Sequence, residues 1–178
     1  MRRRTLSVIR VHRRPGDRRR GILLAGGLAI PVMLGRSGIL ANKREGDGST
    51  PRGRFLAVRL WWRADRAPRP RTLLPVRAID PQVAWCDEPN DCRYNRPFRS
   101  AASHRGDRLW RKDHLYDFVV EIDHNTRPRI AGRGSAVFIH VVRPERTPTA
   151  GCIALPAREL LRLLDRVGRA TEILVQMQ

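Results

Sequence analysis

The chain is poor in lysine, cysteine, acidic residues and long apolar runs, and each shortage narrows what it can be. Lys43 and Lys112 are the only lysines, so the net charge of +19, from 36 basic against 17 acidic residues, is arginine charge. Three cysteines, Cys86, Cys92 and Cys152, are too few and too irregularly spaced for a disulfide scaffold or a four-ligand zinc site. No metal and no cofactor is therefore expected. Gly46 to Thr50 (GDGST) lacks the lysine and the following helix of a phosphate-binding loop. The first 54 residues contain no aromatic side chain, which argues against a specific nucleic-acid reader in the basic N-terminal tract. No stretch is long enough to span a membrane as a helix. The longest apolar segment, Gly21 to Leu34, is broken by Gly26-Gly27 and Pro31 and lacks a small-residue cleavage site, so it makes a poor export signal.

What is present points to one domain. A chain of 178 residues with 41% hydrophobic content supports a single core. Residues 1–20 hold nine arginines opposed only by Asp17. They read as a basic arm with little to bury, followed by a globular unit over 21–178. Ile22 to Ala25 and Leu28 to Leu34 meet at Gly26-Gly27 and predict a tight β-hairpin. Residues 43–55 are dense in turn formers and predict a loop, Phe55 to Trp62 a strand, and the proline-rich segment 63–75 an irregular excursion. Trp85 to Phe98 predicts an ordered loop in which free Cys86 and Cys92 thiols are favoured over a local disulfide.

Phe118, Val120 and Ile122 alternate with Val119, Glu121 and Asp123, a strand pattern. In Ser135 to Val142, Ala136, Phe138, His140 and Val142 share one face while Val137, Ile139 and Val141 share the other, which predicts a central buried strand. A helix follows Pro156, with Leu160, Leu161, Leu164 and Val167 on its apolar face and Gly168 as its stop. Thr171 to Val175 suits a closing strand. The fold class is mostly β, sandwich-like, with one late α-helix.

The chemistry concentrates between His140 and Cys152. A histidine at the end of a buried strand is followed by a polar loop and then by Thr149-Ala150-Gly151-Cys152. A thiol is mostly protonated at neutral pH, and an adjacent imidazole takes its proton to make an ion-paired nucleophile. Gly151 lets the backbone approach a substrate carbonyl, so that the Gly151 and Cys152 amides donate to an oxyanion. His104, His114 and His124 share no ligand spacing and read as surface or strand-end residues. Asp117 and Asp123 are candidates to orient His140 but read better as solvated.

Gly134 to Pro156 (GSAVFIHVVRPERTPTAGCIALP) resembles the active-site segment of the L,D-transpeptidase catalytic-domain family (YkuD-type), whose signature is a histidine followed by Ser/Thr-x-Gly-Cys. His140, Thr149, Gly151 and Cys152 occupy those positions. Residues 43–55, 85–98 and 115–125 also resemble a bacterial subgroup of that family, so the likeness runs from about residue 21 to the end. Two positions depart from the pattern. Ala150 stands where many members have His, and Ala154 where many have Arg or Asn. Arg36, Arg44 and Arg143 are candidates to bind a substrate carboxylate in place of the latter.

The resemblance implies a β-sandwich-like domain and two-step acyl transfer on peptidoglycan stem peptides. Cys152 is then the nucleophile and His140 the base, the Gly151 and Cys152 amides hold the oxyanion, and Thr149, Ser135 and Arg143 contact substrate. The acceptor is an amine of a second stem or of a protein; water as acceptor would make the chain an L,D-carboxypeptidase. A non-catalytic basic envelope-binding module on the same scaffold is the alternative from another class. The substrate implies a cell-envelope or periplasmic location, although the sequence carries no clear export signal.

Overall fold

The computed structural model describes residues 5–101 and 106–177. Strand β1 (Val8–Arg14) pairs antiparallel with β2 (Asp17–Ala25), which pairs antiparallel with β3 (Leu28–Met33). The predicted hairpin is present. Gly26 and Gly27 both have positive φ (52° and 87°), as a two-residue primed turn requires. Two short strands, β4 (Ile39–Leu40) and β5 (Thr50–Pro51), brace the glycine-rich loop, and β6 runs from Gly53 to Trp62. After the irregular segment come β7 (Val76–Ala78) and β8 (Val83–Trp85), then β9 (Pro97–Arg99) and β10 (Asp107–Arg108), which flank β8 in a small separate sheet. A 3-10 turn at His114–Tyr116 leads into β11 (Phe118–Ile122). Strand β12 (Phe138–Val141), β13 (Ile153–Leu155), the single helix α1 (Ala157–Leu164) and β14 (Glu172–Gln176) complete the chain.

The large sheet has the order β11-β12-β13-β3-β2-β1-β14-β6-β7, and β6 also pairs with β11. Eight of its strands therefore close on themselves, with β7 added beside the second half of β6. Closure turns one side of every strand inward. Ile9 and Val11 of β1, Leu23 of β2, Ile30 and Val32 of β3, Phe118, Val120 and Ile122 of β11, and Ile139 and Val141 of β12 meet in one core. Leu160, Leu163, Leu164 and Val167 from α1 and the turn after it join the same core. The two faces read from the 118–123 and 135–142 alternations are the faces observed.

Three expectations need correction. Residues 8–20 are not an arm ahead of the domain, because β1 and the first part of β2 are strands of the main sheet, and β1 also carries β14 in parallel register. The domain boundary near residue 20 therefore falls inside a strand. Ile9 and Val11 alternate with Arg10 and His12, and the arginine density masks that period. On α1, Leu161 is exposed (40%) and Leu163 is buried (2%). The inward stripe runs Leu160, Leu163, Leu164, Val167, and Leu161 lies about 100° round the helix from Leu160. Finally, the 135–142 strand begins only at Phe138, because Gly134 and Ala136 adopt positive φ (94° and 49°).

Candidate active site

On the outer side of the β11–β12–β13 region lies a second apolar cluster, including Trp61, Trp85, Tyr116, Val119, Phe138 and Cys152. Its outward edge is the floor of a cavity of about 500 Å³ lined by His140, Cys152, Ala154, Gly151, Thr149 and Arg143, with Lys43, Glu45, Asp107, Arg111 and Tyr116 opposite. Strands β12 and β13 are parallel and in register at His140↔Ala154. Cys152, two residues before Ala154, therefore points the same way as His140. Two residues far apart in the chain's hydrophobic pattern thus meet in one cavity, both buried (7% and 5% exposed).

The thiol sits among backbone groups. Cys152 Sγ–H donates to the Ala136 carbonyl at 3.2 Å, and the sulfur accepts the Phe138 N–H at 3.3 Å. The positive φ of Ala136 turns that carbonyl toward the thiol. Its amide, in turn, is held by Asn95 Oδ1 at 3.2 Å, which also accepts the Trp85 Nε1–H at 2.9 Å. Asn95 is itself buried, and its amide nitrogen donates to the carbonyls of His124 and Asn125. The 85–98 segment thus reaches the backbone around the Cys152 thiol through the Asn95 side chain.

His140 Nδ1 lies 2.8 Å from the Val141 carbonyl. A carbonyl only accepts, so Nδ1 carries the proton and Nε2 is the free base. The Tyr116 ring packs edge-on against the imidazole at 5.2 Å, and the Tyr116 hydroxyl donates to Asp107 Oδ2 at 2.7 Å. Asp117 and Asp123 do not orient His140. Asp117 takes Arg66 and His114, and Asp123 accepts the Leu56 amide. His114 is exposed and His124 packs against the Phe55 ring; His104 lies outside the described residues.

Burial governs the ionisation of the pair. It pushes the Cys152 thiol up to about 12, against the lowering effect of the Phe138 amide. It holds His140 down at about 4, against the raising effect of the Val141 carbonyl. Both shifts favour the neutral thiol and imidazole over the ion pair read from the sequence.

Thr149 organises the loop before the thiol. Its hydroxyl donates to the Cys152 carbonyl at 2.6 Å and accepts the Gly151 N–H at 3.1 Å. Its own backbone pairs with the chain at Gly35, accepting from Arg36 and donating to Leu34. The Gly151 amide, expected to face an oxyanion, is thus occupied inside the loop. Gly151 has φ 150°, and a Cβ there would stand 2.7 Å from the Ser49 carbonyl, so glycine is required by close approach of the 43–49 loop.

Lys43 was missed from the sequence. It is 5% exposed, and its Nζ donates to Asp47 Oδ1 at 2.7 Å and to the Arg44 carbonyl at 3.0 Å. Burial would raise Asp47, but the Lys43 ammonium and the Arg44 and Ser49 donors outweigh it and hold the carboxyl at about 2. A signal was available: one of two lysines in an arginine protein marks a place where the compact ammonium fits and the broad guanidinium does not.

Of the other predicted residues, Arg143 lines the cavity, half-exposed and 3.9 Å from Asp113. Ser135 is buried beside the Tyr94 hydroxyl, off the cavity wall. Arg36 donates to the Gly46 carbonyl, and neither it nor Arg44 lines the cavity. Cys86 is buried and Cys92 exposed, both as free thiols.

The sequence matches the YkuD family, the L,D-transpeptidase catalytic domain, over residues 14–175. Among solved structures the chain is similar to an L,D-transpeptidase from Mycobacterium smegmatis, at 14% identity and a TM-score of 0.45. That similarity covers 96% of this chain and 59% of the other, so the chain spans about three-fifths of its length. Comparison with curated protein sequences found no match.

Proposed function

The chain belongs to the L,D-transpeptidase catalytic-domain family, and from that premise we propose that it forms peptidoglycan cross-links through a thioester on Cys152. The observation that carries the reading is that Cys152, just ahead of β13, and His140, on the adjacent parallel β12, line one cavity. In the proposed reaction the Cys152 sulfur attacks the carbonyl of the L-centre before the terminal D-residue of a stem peptide. Its proton passes to His140 Nε2 during attack, because burial disfavours the separated ion pair beforehand. The tetrahedral intermediate collapses with C–N cleavage, and the imidazolium returns that proton to the departing amine. An acceptor amine then attacks the thioester, gives its proton to His140, and releases the thiol.

With the Gly151 amide engaged by Thr149, the Cys152 amide remains the backbone donor for the oxyanion. Lys43 and Arg143 supply the positive charge that Ala154 cannot. Lys43 Nζ has two of its three hydrogens on Asp47 and the Arg44 carbonyl, leaving one for an anionic substrate group. Thr149 acts by shaping the loop, and Ser135 by packing behind it. Action on stem peptides places the protein at the cell envelope. Among the described residues no helix is long and apolar enough to cross a membrane.

Incubation with purified muropeptides and mass spectrometry of the products tests this directly. A cross-linked dimer with loss of the terminal D-residue is expected; loss of that residue without a dimer would establish the carboxypeptidase reading instead. Cys152→Ala is expected to abolish both products, with a fall of at least about a thousandfold in turnover and unchanged thermal unfolding. Turnover by that variant near the wild-type rate would remove Cys152 from the chemistry.

A further inference from the structure

The outer side of the β1–β2–β3 region is neither a plain polar surface nor a buried one. Strand register aligns two rows across it. Pro31, Ile22 and His12 stand side by side, as do Ala29, Leu24, Arg10 and Leu174. Ile22 and Leu24 are 39% and 41% exposed, and Ala29 and Pro31 are exposed beside them. Next to this aliphatic strip is a second cavity, of about 350 Å³, walled by Ile22, Pro31, Val32, Met33 and Val142 and rimmed by Arg14, Arg20 and Arg146. Among the described residues Arg10, Arg14 and Arg146 have no acidic partner, and Arg20 has only Asp17, at 3.3 Å.

We propose that this arginine-rimmed aliphatic face docks on the surface of an anionic lipid bilayer. Aliphatic side chains favour the acyl boundary, and guanidinium groups around them favour the phosphate layer. A second copy of the chain is disfavoured, because two such faces would oppose arginine to arginine. Strands β1, β2 and β3 carry no Phe, Tyr or Trp, and His12 is their one ring, so a base-stacking platform is not what the face offers. A soluble polyanion would satisfy the arginines and leave the exposed Ile22, Leu24 and Pro31 without a role. The proposal does not depend on the transpeptidase reading, since no residue that walls this second cavity lines the one that holds Cys152 and His140.

Flotation of the full chain with vesicles tests it. Binding to mixed phosphatidylglycerol–phosphatidylcholine vesicles, and none to pure phosphatidylcholine, is expected at about 0.1 M salt. The Arg10→Glu/Arg14→Glu/Arg146→Glu variant should lose partitioning by roughly fivefold or more per arginine. The Ile22→Gln/Leu24→Gln variant keeps every charge. It should lose roughly tenfold in vesicle binding while holding soluble polyphosphate as the wild type does. Cys152→Ala should float unchanged. The proposal is overturned if anionic vesicles are not bound, if pure phosphatidylcholine is bound equally, or if the Ile22/Leu24 variant floats like the wild type. The last outcome would make the face a general polyanion surface.

Discussion

The β1–β2 pair and the β12–β13 pair rest on the same core and differ in what they turn outward. In both, alternate residues point inward: Ile9, Val11 and Leu23 in the first, Ile139, Val141 and Ile153 in the second. Outward, β1–β2 presents Arg10, Arg20, Ile22 and Leu24 to solvent, whereas β12–β13 presents His140 and Ala154 to a covered cavity, with Phe138 buried in the apolar cluster beneath it. The difference is one of desolvation. A guanidinium on an open strand keeps its water and costs little to place. A thiol and an imidazole beneath the 43–49 and 143–149 loops lose theirs, and their proton affinities move accordingly.

The comparison breaks most severely if the basic end is dispensable. Deleting residues 2–20 removes β1 and the start of β2, strips Ile9 and Val11 from the core, and leaves β14 without its parallel partner. Each buried aliphatic side chain is worth roughly 2 kcal/mol, and the ladder contacts are lost as well. Against a total stability of about 5–15 kcal/mol, the truncated chain is expected to show no cooperative thermal unfolding. A folded, active truncation would return these residues to the status of an arm.

At the covered end, Lys43→Met should lower acyl transfer about a hundredfold, the scale of losing one charge-assisted hydrogen bond to an anionic substrate group. Asp47 keeps its amide and Ser49 donors, so folding should survive. Single-turnover acylation with parallel thermal melts separates the two effects. Acylation within about threefold of wild type would make Lys43 purely structural.

Acid sharpens the same contrast. His140 takes up its proton near 6.5 in the unfolded chain but only at about 4 when folded. The unfolded state therefore binds more protons in that window, so stability is full above it and falls as pH drops from 6.5 toward 4. Asp47, held at about 2 against 3.8, adds a further loss only below that. Melting temperatures should decline by several degrees from pH 7 to pH 4.5, and less in His140→Gln. An equal decline in both proteins would place the buried imidazole outside this effect.

The smallest expected effect concerns thiol labelling, and it reverses what the Cys–His spacing implies. With Cys92 exposed and Cys152 buried and pushed up to about 12, iodoacetamide should modify Cys92 first at neutral pH. Cys152 labelling should climb with alkalinity and show no plateau at acid pH. Peptide mapping across a pH series reads both, and a fast, acid-stable reaction at Cys152 would restore the ion pair.

The fold was legible wherever periodicity and charge agreed. The Gly26-Gly27 hairpin, the two-faced 135–142 pattern and the late helix all appear, because alternation and turn chemistry are local. In residues 8–20 the outward Arg10, His12 and Arg14 and the arginines that follow resemble a charge run, and only pairing with β14 shows that Ile9 and Val11 face inward. Leu161 was misassigned for a related reason: four leucines within five residues leave the helix face ambiguous until a core is present.

For the site, the His140 to Cys152 segment carried the candidate thiol, the candidate imidazole and the loop glycine in its own order of residues, and with the other matching segments it carried the family. Tertiary structure decided everything set by distance across the chain. It brought the 43–49 loop onto Gly151, committed the Gly151 amide to Thr149, put the Val141 carbonyl rather than an aspartate on His140, and seated Lys43 in the cavity where Ala154 left no charge. Residue types and spacing specify which groups can react. Their ionisation and hydrogen-bond partners follow from burial, which belongs to the closed sheet and its covering loops and to no segment alone.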